Sequence, residues 1–219
     1  MKRQTILFSS RLSLVRKILD MRNERGLTLT ELLVTLAMTG FLTAGAYQMA
    51  IHQGKTYSAQ DQAIDVQQGI RIALDQIVDD VQMAGYDNDR TTSIVIDQPV
   101  VPGDDRLTVS HEVGNTIERA VTYTLTGGRV WKQVTLRGAS GTSTFQEPLL
   151  DGVVSLRFTY GLDSDNDGVA DAWVPAGSVG SARLVAIRVR LSARPTHPDF
   201  ANVFSREVES TATLRTRLL

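Results

Sequence analysis

Between Asp163 and Asp171 the carboxylates fall at alternate positions, Asp163, Asp165 and Asp167, followed by Gly168 and a fourth carboxylate at Asp171. In a tight loop alternate residues can converge on one point, which suits a hard cation seeking about six to eight oxygen ligands. Gly168 permits the sharp turn that brings the Val169 carbonyl inward, so the spacing matches the opening positions of a twelve-residue calcium loop. The twelfth position is Val174 rather than a bidentate Glu, which lowers the expected affinity, and no helices are predicted to flank the loop. The alternative is a solvated acidic turn, but crowded carboxylates repel one another without a counter-charge. Calcium is therefore the expected ion, with Asp163, Asp165, Asp167, Val169 and Asp171 as its ligands.

The second chemical feature is Arg25-Gly26-Leu27-Thr28-Leu29-Thr30-Glu31. A base and a glycine stand directly before an apolar run, and a single glutamate sits one turn inside it. Glycine offers a peptidase an unhindered, extended backbone at the membrane face. Cutting after Gly26 leaves Leu27 with a free amine. A carboxylate at bilayer depth costs a few kcal/mol and normally has a specific partner. No base occurs after Glu31 within the apolar run, so the obvious cation is the amine of Leu27, on its own chain or a neighbour's. The simpler alternative is a glutamate that snorkels at the interface.

Other chemistries find little support. The chain has no cysteine, which excludes a disulfide framework, a thiolate metal site and a Cys nucleophile together. His52, His111 and His197 do not share ligand spacing. Ser140 and Ser178 lie near glycines but in no nucleophile elbow, and no phosphate-binding glycine loop is present. Trp131 and Trp173 read as packing or partner contacts. An enzyme is not expected.

The elements that must position these residues emerge from the patterning. From Leu32 to Gly54 there is no Asp, Glu, Lys or Arg, and at about 1.5 Å per residue such a run spans the roughly 30 Å core of a bilayer. Beyond it, Ile70, Ala73, Leu74, Ile77, Val81 and Ala84 recur at helical steps, with Asp75, Asp79 and Asp80 assigned to polar positions. The spacing predicts one helix from Thr28 to about Gly85, ended by Gly85 and Asp87-Asn88-Asp89. Period-two strands are predicted at Ser93–Asp97, Arg106–His111, Arg119–Thr126, Arg129–Leu136, Val153–Tyr160, Leu184–Leu191 and Glu207–Leu218. Gly127-Gly128 marks a two-residue hairpin within an antiparallel meander. In the last strand Val208, Ser210, Ala212, Leu214, Thr216 and Leu218 take one face and Glu207, Glu209, Arg215 and Arg217 the other.

Charge supplies the topology. Residues 1–26 hold seven bases against Asp20 and Glu24, a local balance of +5 within a chain of net charge -1, so the remainder carries -6. A basic front ahead of an apolar run stays cytoplasmic, and the chain beyond the run is exported. The acidic remainder lacks the basic patch that phosphate contacts need, so direct nucleic-acid binding is not expected.

The stretch Gly26-Leu27-Thr28-Leu29-Thr30-Glu31 resembles the class III signal of type IV prepilins. Asp75–Tyr86, Val154–Tyr160 and the closing strand near Leu214-Arg215 are similar to PilW-type minor pilins and GspJ-type pseudopilins. The acidic loop also resembles the calcium loops of thrombospondin type 3 repeats. Leu27 stands where phenylalanine is more usual in the signal, and Met21 would open a six-residue leader, Met-Arg-Asn-Glu-Arg-Gly. No proline interrupts the membrane run and no C-terminal cysteine pair is present, which favours a minor subunit.

The resemblance implies an α+β type IV pilin fold, a long N-terminal helix packed on an antiparallel β head. It divides the chain into a leader peptide at 1–26, a transmembrane and assembly half of the helix at 27–54, an amphipathic half at 55–86 and a β-rich head at 87–219. It implies cleavage after Gly26 by the prepilin peptidase, N-methylation of Leu27, and pairing of Glu31 with an adjacent subunit's amine. The implied partners are that peptidase, other major and minor pilins or pseudopilins, an inner-membrane assembly platform and the lipid bilayer. The implied location is the inner membrane with a periplasmic head, then the pilus and cell surface. A minor pilin of the initiation or tip complex is the leading expectation. A minor pseudopilin of type II secretion and a calcium-dependent adhesin on a pilus are the alternatives.

Overall fold

Helix α1 (Leu29–Gln82) begins directly after Thr28. The Glu31 N–H donates to the Thr28 hydroxyl at 3.3 Å, and the Leu32 N–H donates to the Thr28 carbonyl at 3.1 Å. Thr28 therefore serves as N-cap, with the Thr-x-x-Glu spacing of a capping box. The computed structural model describes residues 26–87, 96, 98–114, 116–180, 183–196 and 205–215. The leader to Arg25, Asn88-Asp89, all of the predicted strand Ser93–Asp97 but Ile96, His197 and the chain beyond Arg215 lie outside the described residues.

The chain divides into two compact units that meet between Lys55 and Thr56. In the first, α1 is exposed on every side and is long and apolar enough to cross a membrane; Phe41 is 84% exposed. Thr35, Thr39 and Thr43 turn their hydroxyls back to helix carbonyls one turn earlier, at 2.9, 2.7 and 2.7 Å. Each hydroxyl is thereby satisfied inside an apolar stretch, where an unmade hydrogen bond is costly.

In the second unit the amphipathic stripe behaves as its spacing requires. Ile70, Ala73, Leu74, Ile77 and Val81 are all buried, each large one worth about 1.5–3 kcal/mol against exposure. The turn that follows the helix closes at Gly85, whose φ of 71° is the left-handed conformation that glycine adopts freely. The Gly85 N–H then donates to the Ser110 carbonyl at 2.8 Å, tying the helix end to a strand.

The expected antiparallel head is two sheets. The first has order β1-β2-β3-β4-β5, with β1 (Val100–Val101), β2 (Arg106–Val113), β3 (Ile117–Thr126), β4 (Arg129–Gly138) and β5 (Gly141–Asp151). The second has order β7-β6-β8-β9, with β6 (Val153–Asp163), β7 (Ala172–Val174), β8 (Arg183–Ala193) and β9 (Arg206–Thr213). Every pairing is antiparallel. Gly127 and Gly128, with φ of 61° and 73°, make the β3–β4 hairpin as predicted.

Strands β1, β5 and β7 are not among the predicted ones. The first and last are too short to carry a period. β5 is an edge strand exposed on both faces for most of its length, so it has no apolar alternation to read. It also contains Pro148, placed where the register shifts against Val130 and Trp131. An edge strand tolerates a proline that a central strand would not.

One core joins the α1 stripe to both sheets, with Leu107, Val121 and Tyr123 from the first and Phe158, Tyr160, Ile187 and Leu191 from the second. Tyr160 also closes a loop: its hydroxyl donates to the Gly103 carbonyl at 2.7 Å and accepts from the Gly103 N–H at 2.8 Å.

Candidate functional site

At the head of α1, Gly26 and Leu27 precede the helix and are exposed. Around Gly26 an added Cβ would meet nothing within 4 Å, so this glycine is not demanded by packing. Glu31 lies on the exposed first turn, and among the described residues no cation is within ion-pair distance of it. Its negative charge near a helix N-terminus is favourable in itself, by about 0.3–1 kcal/mol. Gly26, Leu27 and Glu31 thus stand together at one helix terminus, as the sequence spacing required.

The acidic loop joins β6 to β7. Asp163 is 4% exposed and spends both carboxylate oxygens on the loop: one accepts from the Asn166 N–H at 2.7 Å, the other from the Gly168 N–H at 3.0 Å. Asn166 and Gly168 both take positive φ, 67° and 89°, which turns those N–H groups inward. Asp171 accepts from the Ser164 N–H at 2.7 Å, closing the loop from its far end. Carboxylate oxygens of Asp163, Asp165 and Asp171 lie within 4.8 Å of one another. Asp167 is not in that group; one of its oxygens accepts from the Val169 N–H at 2.7 Å. Val169 has an exposed side chain.

A protein cation already reaches this loop. The Arg183 guanidinium lies 3.1 Å from Asp163 and donates to the Asn166 side-chain oxygen at 2.9 Å. Burial pushes the Asp163 carboxyl up, but the Gly168 and Asn166 N–H groups and Arg183 outweigh it and hold the carboxyl below its ordinary range. Arg183 lies just before the predicted Leu184 strand, and its role was not legible from spacing along the loop.

A third cluster corrects the sequence reading. Asp80, assigned above to a polar helix position, is buried at 8% exposure against the first sheet. It receives the Tyr123 hydroxyl at 2.5 Å, Arg119 at 2.9 Å and Lys132 at 2.9 Å. The signal was available. Position 80 lies three residues after Ile77 and four before Ala84, inside the apolar stripe, and Lys132 occupies an inward position of β4 between Val130 and Val134. A buried base on one element requires an acid on the element facing it. The cluster holds the C-terminal turn of α1, where a carboxylate alone would oppose the helix dipole. Burial pushes the Asp80 carboxyl up, while Tyr123, Lys132 and Arg119 together bring it below its ordinary value.

Comparison with known proteins bears on both ends of this arrangement. Residues 21–47 match the prokaryotic N-terminal methylation motif. Residues 122–215 match the family described as type IV pilus-assembly protein W, covering the chain from β3 to the close of the second sheet. No curated protein matches the chain. The methylation motif covers the cap, Glu31 and the start of the exposed apolar helix, and the pilus-assembly family covers most of the head; together they support a minor pilin of the PilW type, acting in type IV pilus assembly.

Proposed function

We propose that this minor pilin joins the initiation or tip complex of the pilus after cleavage behind Gly26, through an ion pair between Glu31 and the methylated Leu27 amine of a neighbouring subunit. The observation that carries the proposal is Glu31 itself. It is a carboxylate on the first turn of an apolar helix, with no cation within reach among the described residues. In a bilayer that charge needs a partner, and a neighbour's amine is the nearest chemical match. The prepilin peptidase makes the cut, the inner-membrane platform receives the subunit, and the head faces the periplasm before export.

The test separates charge from capping. Glutamine serves a capping box as well as glutamate does, but carries no charge. Glu31→Gln is expected to be processed to a chain beginning at methylated Leu27, to insert normally, and to be missing from sheared pili. Normal incorporation would reduce Glu31 to a cap. A mature chain beginning after the apolar run, by N-terminal sequencing, would remove the processing reading with it.

A second proposal concerns calcium at the acidic loop, supported by the approach of Asp163, Asp165 and Asp171. Calcium held by Asp163, Asp165, Asp167, Asp171 and the Val169 carbonyl would have to share Asp163 with Arg183. A cation that binds only the folded loop raises the melting midpoint by mass action, a few degrees for millimolar affinity at several millimolar calcium. Arg183→Gln should lower the midpoint with chelator present and enlarge the calcium shift. Equal midpoints with calcium and chelator in both proteins would leave Arg183 as the loop's counter-charge and end the calcium proposal.

A further inference from the structure

The outer face of the second sheet carries three arginines around one tryptophan. Strand register sets Arg157 of β6 directly opposite Arg190 of β8, and Thr159 opposite Arg188. Trp173 of β7 pairs with Gly161, and the glycine is what lets the indole lie across the sheet. A Cβ at Gly161 would come within 2.8 Å of Ala170 Cβ, 3.2 Å of Trp173 Cη2 and 3.3 Å of Ala186 Cβ. Laid flat, the ring meets the Arg188 guanidinium at 3.9 Å from its centroid. Arg157, Thr159, Trp173, Arg188 and Arg190 enclose a cleft of about 120 Å³.

The charges around this cleft do not cancel. Arg190 is held by Glu209 at 2.7 Å and Glu207 at 3.4 Å, and Arg188 by Glu209 at 3.3 Å. Both carboxylates come from β9, on the far side of β8. Arg157 stands on the other side and has no ion-pair partner among the described residues. Like charges directly opposite one another in an antiparallel pair are destabilising, and Arg157 with Arg190 is such a pair. The buried Arg188 Nε is the atom that lies 3.3 Å from Glu209 Oε1, and it makes no hydrogen bond among the described residues. Three guanidinium groups against two carboxylates, with the Arg157 guanidinium uncompensated, are what an arriving anion would satisfy.

We infer that this cleft binds an oxyanion, a carboxylate or phosphate group carried by a larger ligand. Arg157 supplies the planar fork that grips two oxygens at once, Thr159 supplies a hydroxyl, and Trp173 gives a flat apolar wall to whatever carries the anion. The volume admits a headgroup and not a whole chain, so the rest of the ligand lies outside the cleft. The site owes nothing to the N-terminal assembly chemistry, and its failure would leave that reading intact.

Trp173 is a reporter inside the site. The full-length chain in zwitterionic detergent micelles, on a Trp131→Phe background, is titrated with inorganic phosphate and separately with acetate. Sodium chloride keeps the ionic strength constant. A saturable change in Trp173 emission is expected with at least one anion, and the tighter of the two identifies the group recognised. Arg157→Gln should weaken binding on the order of tenfold, the loss of one charge-assisted contact, and Arg157→Lys should weaken it less. Arg137→Gln, an exposed arginine on the other sheet, should change nothing. A response that never saturates with either anion, or one that Arg157→Gln leaves unaltered, would overturn the inference.

Discussion

Asp80 and Lys132 are 8% and 4% exposed, and neither could be buried without the other. Removing one partner of a buried ion pair strands the second charge, which typically costs about 3–5 kcal/mol. Asp80→Asn is expected to lose that much in a denaturant melt, because Lys132 and Arg119 would face each other without a carboxylate. Replacing Asp80, Arg119 and Lys132 together by apolar residues of similar volume should recover most of the loss. His111 lies in the next register row, paired with Arg119. Its Nδ1 is buried without a hydrogen bond among the described residues. Burial first, then the Arg119 charge, press its pKa below the ordinary 6.5, with Asp80 pulling the other way. A folded pKa below the unfolded one favours the neutral ring, so this stability is present above pH 6.5 and lost as pH falls below it. Asp80, also lowered, adds stability present above its ordinary 3.8 and lost on further acidification. Acid titration of the melting midpoint should therefore fall in two stages, and His111→Gln should remove the first.

Among the elements, α1 changes character along its length. Its first half has only lipid or other helices to pack against, and its second half has a core. The contrast between Ile77 and Ile72 makes this measurable. Ile77 is fully buried and Ile72 is 65% exposed. Ile77→Ala should cost about 2–5 kcal/mol, the usual penalty for emptying a core site. Ile72→Ala should stay within about 0.5 kcal/mol. The two sheets differ in the same terms. β6 and β8 are central and face the core with Phe158, Tyr160, Ile187 and Leu191. β5 is held mainly by its ladder to β4 and by an Arg129–Asp151 ion pair at its end.

For the molecule as a whole, the division between Lys55 and Thr56 sets the N-terminal motif apart from the side-chain clusters of the head. The charged and capped N-terminus lies in one unit; the acidic loop, the buried ion cluster and the arginine cleft lie in the other. Defects should separate in the same way. Ile77→Ala is expected to lower the melting midpoint of the head while cleavage after Gly26 proceeds as in the parent chain, read by N-terminal sequencing of the membrane fraction. Glu31→Gln should do the reverse, leaving the melt unchanged and emptying the pili. A head variant that also blocked cleavage would show that the two units do not act independently.

Sequence alone determined what depends on neighbours along the chain. The apolar run, the helical stripe, the turn at Gly85, the Gly127-Gly128 hairpin and the periodic strands predicted between Arg106 and Leu191 are local patterns, and each formed where its period or turn residue required. The convergence of Asp163, Asp165 and Asp171 was legible for the same reason, since a loop of alternate carboxylates closes on itself. Tertiary structure alone decided which distant charges meet. Asp80 joined Arg119, Tyr123 and Lys132 because α1 lies over β3 and β4, and no pattern within the helix names the base that will neutralise its carboxylate. Arg183 reached Asp163 across a ladder, and Arg157 met Arg188 and Arg190 in one cleft through the register of β6 on β8. The partners in each case belong to different strands, and only strand pairing brings their side chains to one face.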